Sequence, residues 1–213
     1  MEGVVSTLES IIEAVDSYLA DRDKVREAAI RLSRDVVRLS KSVVNSIYLG
    51  DLDAASRAAL DMDSIVLKLR GLLEGYPDIY YSGLVYNALS EYVEASLFLD
   101  VVSGRGLRSF EELGVPPVPY LQGLGDLAGE LRRLVLDKVR GEDFEGAWRL
   151  YRLMEAIYMG LAKLNYVDAL IPGVRHRVDV ARRLVDETLA LLVDLESRRR
   201  LQESLRASRA LEF

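Results

Sequence analysis

The chain has 213 residues, half of them hydrophobic, with 34 acidic side chains against 28 basic ones, one histidine and no cysteine. That length suits one domain with a sizeable core, since domains usually hold roughly 100–200 residues, and the missing cysteines exclude disulfides, thiolate metal sites and cysteine nucleophiles while fitting a reducing compartment. A net charge of −6 and a pI near 5.0 argue against a simple phosphate-binding surface, so any affinity for nucleic acid must come from local positive charge.

Met1-Glu2-Gly3-Val4-Val5-Ser6 lacks the basic-then-apolar pattern of a signal peptide. No apolar run approaches the roughly 18–20 residues that span a bilayer. The expectation is a cytoplasmic protein with no membrane partner. Almost the whole chain reads with a 3.6-residue period, and no stretch alternates as a strand does. Residues 4–20 carry one stripe, Val4, Leu8, Ile11, Ile12, Val15 and Leu19. Asp21-Arg22-Asp23 is a candidate kink or cap, after which Val25, Ala29, Leu32, Val36, Leu39, Val43 and Ile47 continue the pattern.

Gly50-Asp51 predicts a stop and a new start, because glycine ends helices cheaply and Asp caps free amides. A second helix covers 52–73. Gly75-Tyr76-Pro77-Asp78 reads as a turn with Asp78 as N-cap, followed by a third long helix over about 79–102. Gly104 to Pro119 is the one clear irregular stretch. Tyr120 to Arg140 is the fourth helix, Gly141-Glu142-Asp143 a short turn, 144–164 the fifth, Ile171-Pro172-Gly173 a break, and 174 onward the sixth. The thinner apolar stripe of 197–213 predicts a fraying tail. The fold class is therefore all-α, a single domain over 1–213 built as a bundle of six or seven mostly antiparallel helices. Its spare apolar surface favours self-association.

Two helices carry paired acids. Glu91 and Glu94 stand at i and i+3 on the third, Asp126 and Glu130 at i and i+4 on the fourth, spacings that place each pair on one helix face. Four converging carboxylates would repel one another unless a cation neutralised them. Hard oxygen ligands suit Mg²⁺ or Mn²⁺ rather than zinc, and the same spacings equally fit solvated faces. Gly125 and Gly129 share a face of the fourth helix and allow close approach of a partner, more often a helix than a ligand. Arg31, Arg34, Arg38 and Lys41, at i, i+3, i+7 and i+10, form a basic stripe beside the core stripe that fits either phosphate contact or solvation. His176 stands between Arg175 and Arg177 with no recognisable catalytic partner. Tyr80, Tyr81, Tyr86, Tyr92 and Tyr120 could stack bases, although aromatics at helical spacing are more often core.

Several strings in order resemble the translin and translin-associated factor X family. They are Leu32-Ser33-Arg34-Asp35, Glu91-Tyr92-Val93-Glu94-Ala95, the run Pro117 to Leu131, Gly141-Glu142-Asp143, Gly160-Leu161 with Leu164-Asn165, and Val193-Asp194-Leu195. Together they span about residues 25–195. The resemblance is to a compact, archaeal-type member nearest the catalytic factor X branch. It implies a seven-helix fold, a homo-octameric shell, and binding of single-stranded or short duplex RNA, or single-stranded DNA. It further implies a Mg²⁺-dependent endoribonuclease in which Glu91, Glu94 and Asp126 match the catalytic acids, with Glu130 the fourth acid beside the metal. Pro119 departs from the family's aspartate. A non-catalytic nucleic-acid-binding shell is the alternative that the resemblance leaves open.

Overall fold

The structure, a computed structural model, describes residues 1–210, apart from the side chains of Ala207, Arg209 and Ala210. Among the described residues there are eight helices and no strand. They are α1 (Glu2–Tyr48), α2 (Leu52–Leu72), α3 (Pro77–Tyr80), α4 (Gly83–Val102), α5 (Phe110–Leu113), α6 (Pro117–Arg140), α7 (Phe144–Ala162) and α8 (Val174–Ala210). Six are long and two are single turns, so the all-α architecture expected from the periodicity is the one observed. None is long and apolar enough to cross a membrane. The tail expectation falls partly on 211–213, outside the described residues; α8 itself is helical to Ala210.

The chain divides into two compact units, Met1–Tyr120 and Leu121–Phe213. In the N-terminal unit α1 and α2 form a hairpin and α4 packs against both. The hairpin turn is set where the sequence placed it. Gly50 adopts φ +76°, and the Asp51 carboxylate accepts from the Ala54 amide at 2.8 Å, capping α2. From Ala29 onward α1 buries Ser33, Val36, Ser40, Val43 and Ile47, a row at alternating spacings of four and three residues.

Four local expectations need correction. The Asp21-Arg22-Asp23 run caps no helix end, and α1 continues through it for 47 residues. The run holds no glycine or proline, and its side chains do other work: Asp21 accepts from the Tyr76 hydroxyl at 2.7 Å, and Arg22 pairs with Asp78 at 3.4 Å. Asp78 is accordingly not the cap; Tyr76 holds that position, with Pro77 at the first helical residue. The helix expected over 79–102 is split at Tyr81-Ser82, where Ser82 is extended (ψ 151°) and α4 begins anew. The stretch read as irregular contains α5, started by a capping box in which Ser109 and Glu112 exchange side-chain-to-backbone bonds at 3.2 and 2.7 Å.

α4 is the most buried helix. Val85, Leu89, Val93, Leu97 and Phe98 have essentially no exposure, and even Asp100 is only 1% exposed. A carboxylate so placed must be paired. Arg108 meets it at 2.9 Å and Arg105 at 3.5 Å, while the Tyr120 hydroxyl donates to the Arg108 carbonyl at 2.9 Å. These bonds fold the segment after α4 back onto its own C-terminal end.

In the C-terminal unit α7 packs along α8, and α6 is tied to α8 by ion pairs. The α6–α7 turn is closed by Glu142 in the left-handed region (φ 59°) and by Asp143, whose carboxylate accepts from the Gly146 amide at 2.8 Å and from Lys138 at 2.9 Å. Those bonds hold its carboxyl below the ordinary carboxylate range. Arg108→Ala should lower the unfolding free energy by about 3 kcal/mol, because Asp100 then keeps only its longer partner. A urea titration showing a loss below about 1 kcal/mol would contradict the pairing's structural role.

Candidate nucleic-acid interface and acidic cluster

The basic stripe belongs to the N-terminal unit. Arg31, Arg34, Arg38 and Lys41 are all exposed on α1. At about 100° per residue they lie on the far side of the helix from the buried row rather than beside it. Arg38 pairs with Asp35 at 3.0 Å, one turn away. Among the described residues Arg31, Arg34 and Lys41 form no ion pair, so their charge is available to a phosphate backbone. The N-terminal unit thus presents a continuous basic face about three helical turns long on an otherwise acidic protein.

The acids of α4 occupy a distinct place on that helix. Its less buried strip runs Leu84, Asn87, Glu91 and Glu94, stepping by three and four residues, and both glutamates are half-buried. Tyr92, between them in sequence, points the other way, is 4% exposed and donates to Asp63 at 2.7 Å. Burial, and then that bond, push its hydroxyl pKa up, so Tyr92 stays a protonated donor and is core rather than a stacking platform. Tyr81, 61% exposed and edge-on to Tyr80 and Tyr86, is the tyrosine of the set left open to solvent.

In the C-terminal unit Asp126 and Glu130 are half-buried on α6 and lead onto its exposed side through Arg133 and Asp137. Asp126 is bonded to Arg177 of α8, its carboxylate accepting from the guanidinium Nε at 2.8 Å. Helical periodicity gives no sign of this partner, 51 residues distant; its place in the Arg175-His176-Arg177 cluster is the sequence's one hint. Gly125 explains how Arg177 reaches Asp126. A Cβ there would come within 2.9 Å of the Arg177 Cβ, so the glycine makes room for the stem of that side chain. The partner of the glycine face is a helix, as expected for Gly125, whereas a Cβ at Gly129 would meet nothing within 4 Å. His176 is exposed.

Each acid pair offers hard oxygen donors of the kind Mg²⁺ and Mn²⁺ prefer. Among the described residues no three acids or histidines are gathered into one metal-holding group.

An all-helical chain with a basic helix face and paired helical acids defines a class that the comparisons specify. The sequence matches the translin family over residues 24–188, and the chain belongs to that family. It is 27% identical over 191 residues to an uncharacterized protein of Methanocaldococcus jannaschii, covering 89% of this chain and 85% of that one. It is 23% identical over 176 residues to the mouse translin-associated protein X, covering 64% of this chain but only 61% of the mouse protein. Among solved structures, AfC3PO in a duplex RNA complex superposes with a TM-score of 0.81 at 29% identity, over 88% of this chain and 97% of that chain. A crystal structure of AfC3PO gives the same TM-score at 30% identity, over 88% and 98%.

The two glycines separate cleanly by experiment. Gly129→Ala should raise stability by about 0.5–1 kcal/mol through helix propensity. Gly125→Ala should lower it by about 1 kcal/mol, because crowding against Arg177 outweighs that gain. Equal gains at both positions in thermal melts would contradict the close approach of Arg177.

Proposed function

We propose that this protein binds RNA as a homo-oligomer, through the α1 face of Arg31, Arg34, Arg38 and Lys41, and that it is a Mg²⁺-dependent endoribonuclease. The likeness that carries the reading is to AfC3PO, a relative solved with duplex RNA, matched over nearly its whole length. The exposed guanidiniums and ammonium of α1 supply the sequence-independent attraction to phosphate that a chain of net charge −6 otherwise lacks.

Glu91, Glu94 and Asp126, helped by Glu130, would hold Mg²⁺, with Mn²⁺ an acceptable substitute. When bound, such a cation activates water and offsets charge growing on a scissile phosphate. The protein's own contribution is positional. α4 holds Glu91 and Glu94 on its open strip while burying the rest of the helix, and Arg177 fixes the carboxylate plane of Asp126. Octameric assembly, single-stranded DNA as a second ligand and a cytoplasmic setting belong to the same proposal.

A second reading, a non-catalytic RNA-binding shell, is favoured by one observation. The Arg177 guanidinium already neutralises Asp126, which a metal ligand would have to share or exchange. Labelled single-stranded RNA incubated with Mg²⁺ or EDTA separates the two. Glu94→Ala and Asp126→Asn should retain RNA affinity and lose EDTA-sensitive cleavage. Undiminished cleavage by both would end the nuclease reading, and binding without product by the unaltered protein would leave the shell. Arg34→Glu with Arg38→Glu should weaken binding on the order of tenfold or more and flatten its salt dependence by roughly one unit of slope per lost phosphate contact. Unchanged affinity would remove α1 from the interface.

A further inference from the structure

The first 21 residues, nearly all of them in α1, form an arm that is exposed at every position. At about 1.5 Å per residue it is roughly 30 Å long. Its apolar stripe is that of a packed helix, yet Val4, Leu8, Ile11, Ile12, Val15 and Leu19 are each between 48% and 74% exposed. A lone helix of this length is marginal in water, and most helical stability comes from packing an apolar face. The arm is also one-signed. Residues 1–21 contain Glu2, Glu9, Glu13, Asp16 and Asp21 and no lysine or arginine. At about 100° per residue, four of those acids fall within about 60° of one another, on the flank adjoining the apolar stripe.

The C-terminal unit holds a groove of the complementary character. Along α8 the buried row Val185, Thr188, Leu192 steps by three and four residues to the part-buried Leu195. The same steps then reach Arg199, Gln202 and Arg206, all exposed. The row that packs the unit's interior thus turns basic where the interior ends. There, beside the α6–α7 turn, lies a cavity of about 550 Å³. Val139, Phe144 and Leu195 form its apolar wall, and Arg198, Arg199 and Arg206 its charged rim. The Arg199 guanidinium sits 5.0 Å from the centre of the Phe144 ring, and Arg206 has no ion pair among the described residues.

We propose that this groove seats the α1 arm of a second copy of the chain. The apolar stripe of the arm would cover the Val139–Phe144–Leu195 wall, and its acidic flank would meet the arginine rim. Opposite charge and apolar area are matched on both sides, with Arg198 and Arg199 also holding one-turn pairs to Asp194 at 2.9 Å and Glu203 at 3.8 Å and Arg206 left over. The apolar wall of Val139, Phe144 and Leu195 suits a helix carrying both an apolar stripe and acids better than a polyanionic nucleic acid. The inference rests on the self-association part of the proposed function and is independent of RNA binding and cleavage.

A charge swap tests it. Glu9→Arg with Glu13→Arg alters the arm, Arg198→Glu with Arg199→Glu alters the groove, and a third protein carries all four substitutions. Sedimentation velocity over a protein concentration series, without RNA, reads assembly, and circular dichroism checks that each variant stays helical. The expected result is at least a tenfold rise in the concentration needed for assembly by either pair alone, with recovery when the pairs are combined. Assembly unchanged by both pairs, weakening without recovery, or an unaltered protein that stays monomeric would each overturn the proposal. So would a groove variant that loses RNA affinity while assembling normally, since the site would then belong to nucleic acid. Loss of RNA binding in the Arg34/Arg38 variant with assembly intact bears on the α1 face alone.

Discussion

A helix buried on almost every side must find a partner for each polar atom it carries, and α4 imposes that constraint on the N-terminal unit. Its Asp100 takes two arginines and its Tyr92 takes Asp63. The cost of leaving either group unpaired would be a large share of a typical domain's stability. Once those demands are met, one strip of α4 remains open, and it carries Glu91 and Glu94.

The C-terminal unit solves a related problem differently. Asp126 is held by Arg177 across α6 and α8, and a glycine lets the arginine stem approach. The arrangement orients a carboxylate at the point where α6 changes from buried to exposed. Such a preoriented acid serves equally as an ion-pair anchor and as a ligand that exchanges its cation, and this is where the two functional readings diverge. The basic face of α1 is common to both.

Much of the fold was legible because the determinants are local. Gly50-Asp51 and Glu142-Asp143 mark helix ends through backbone conformation and a capping carboxylate, and both stand where the sequence placed them. The misplaced boundaries have equally local causes. Asp21-Arg22-Asp23 looks like a polar break, yet a helix interior tolerates charge when side chains find partners, as Asp21 does with Tyr76. At Tyr81-Ser82 the apolar pattern runs on through Ile79 and Leu84 and hides the interruption, although Ser82 before Gly83 is a recognisable helix start. Ser109 and Glu112, three apart, carried the signal for α5. What periodicity could not supply was tertiary pairing: Arg177 with Asp126, and Arg108 with Asp100, are products of packing. The four acids and the basic row were legible as residues, while their grouping as a site came from likeness to a family.

We propose that Glu91, Glu94 and Asp126 serve a divalent cation. Calorimetric titration of Mn²⁺ into the unaltered protein and into Glu91→Gln/Glu94→Gln addresses it most directly. Saturable binding by the former, its loss in the latter, and an unchanged melting temperature without metal are expected. No binding by the unaltered protein, or equal binding by both, would contradict it.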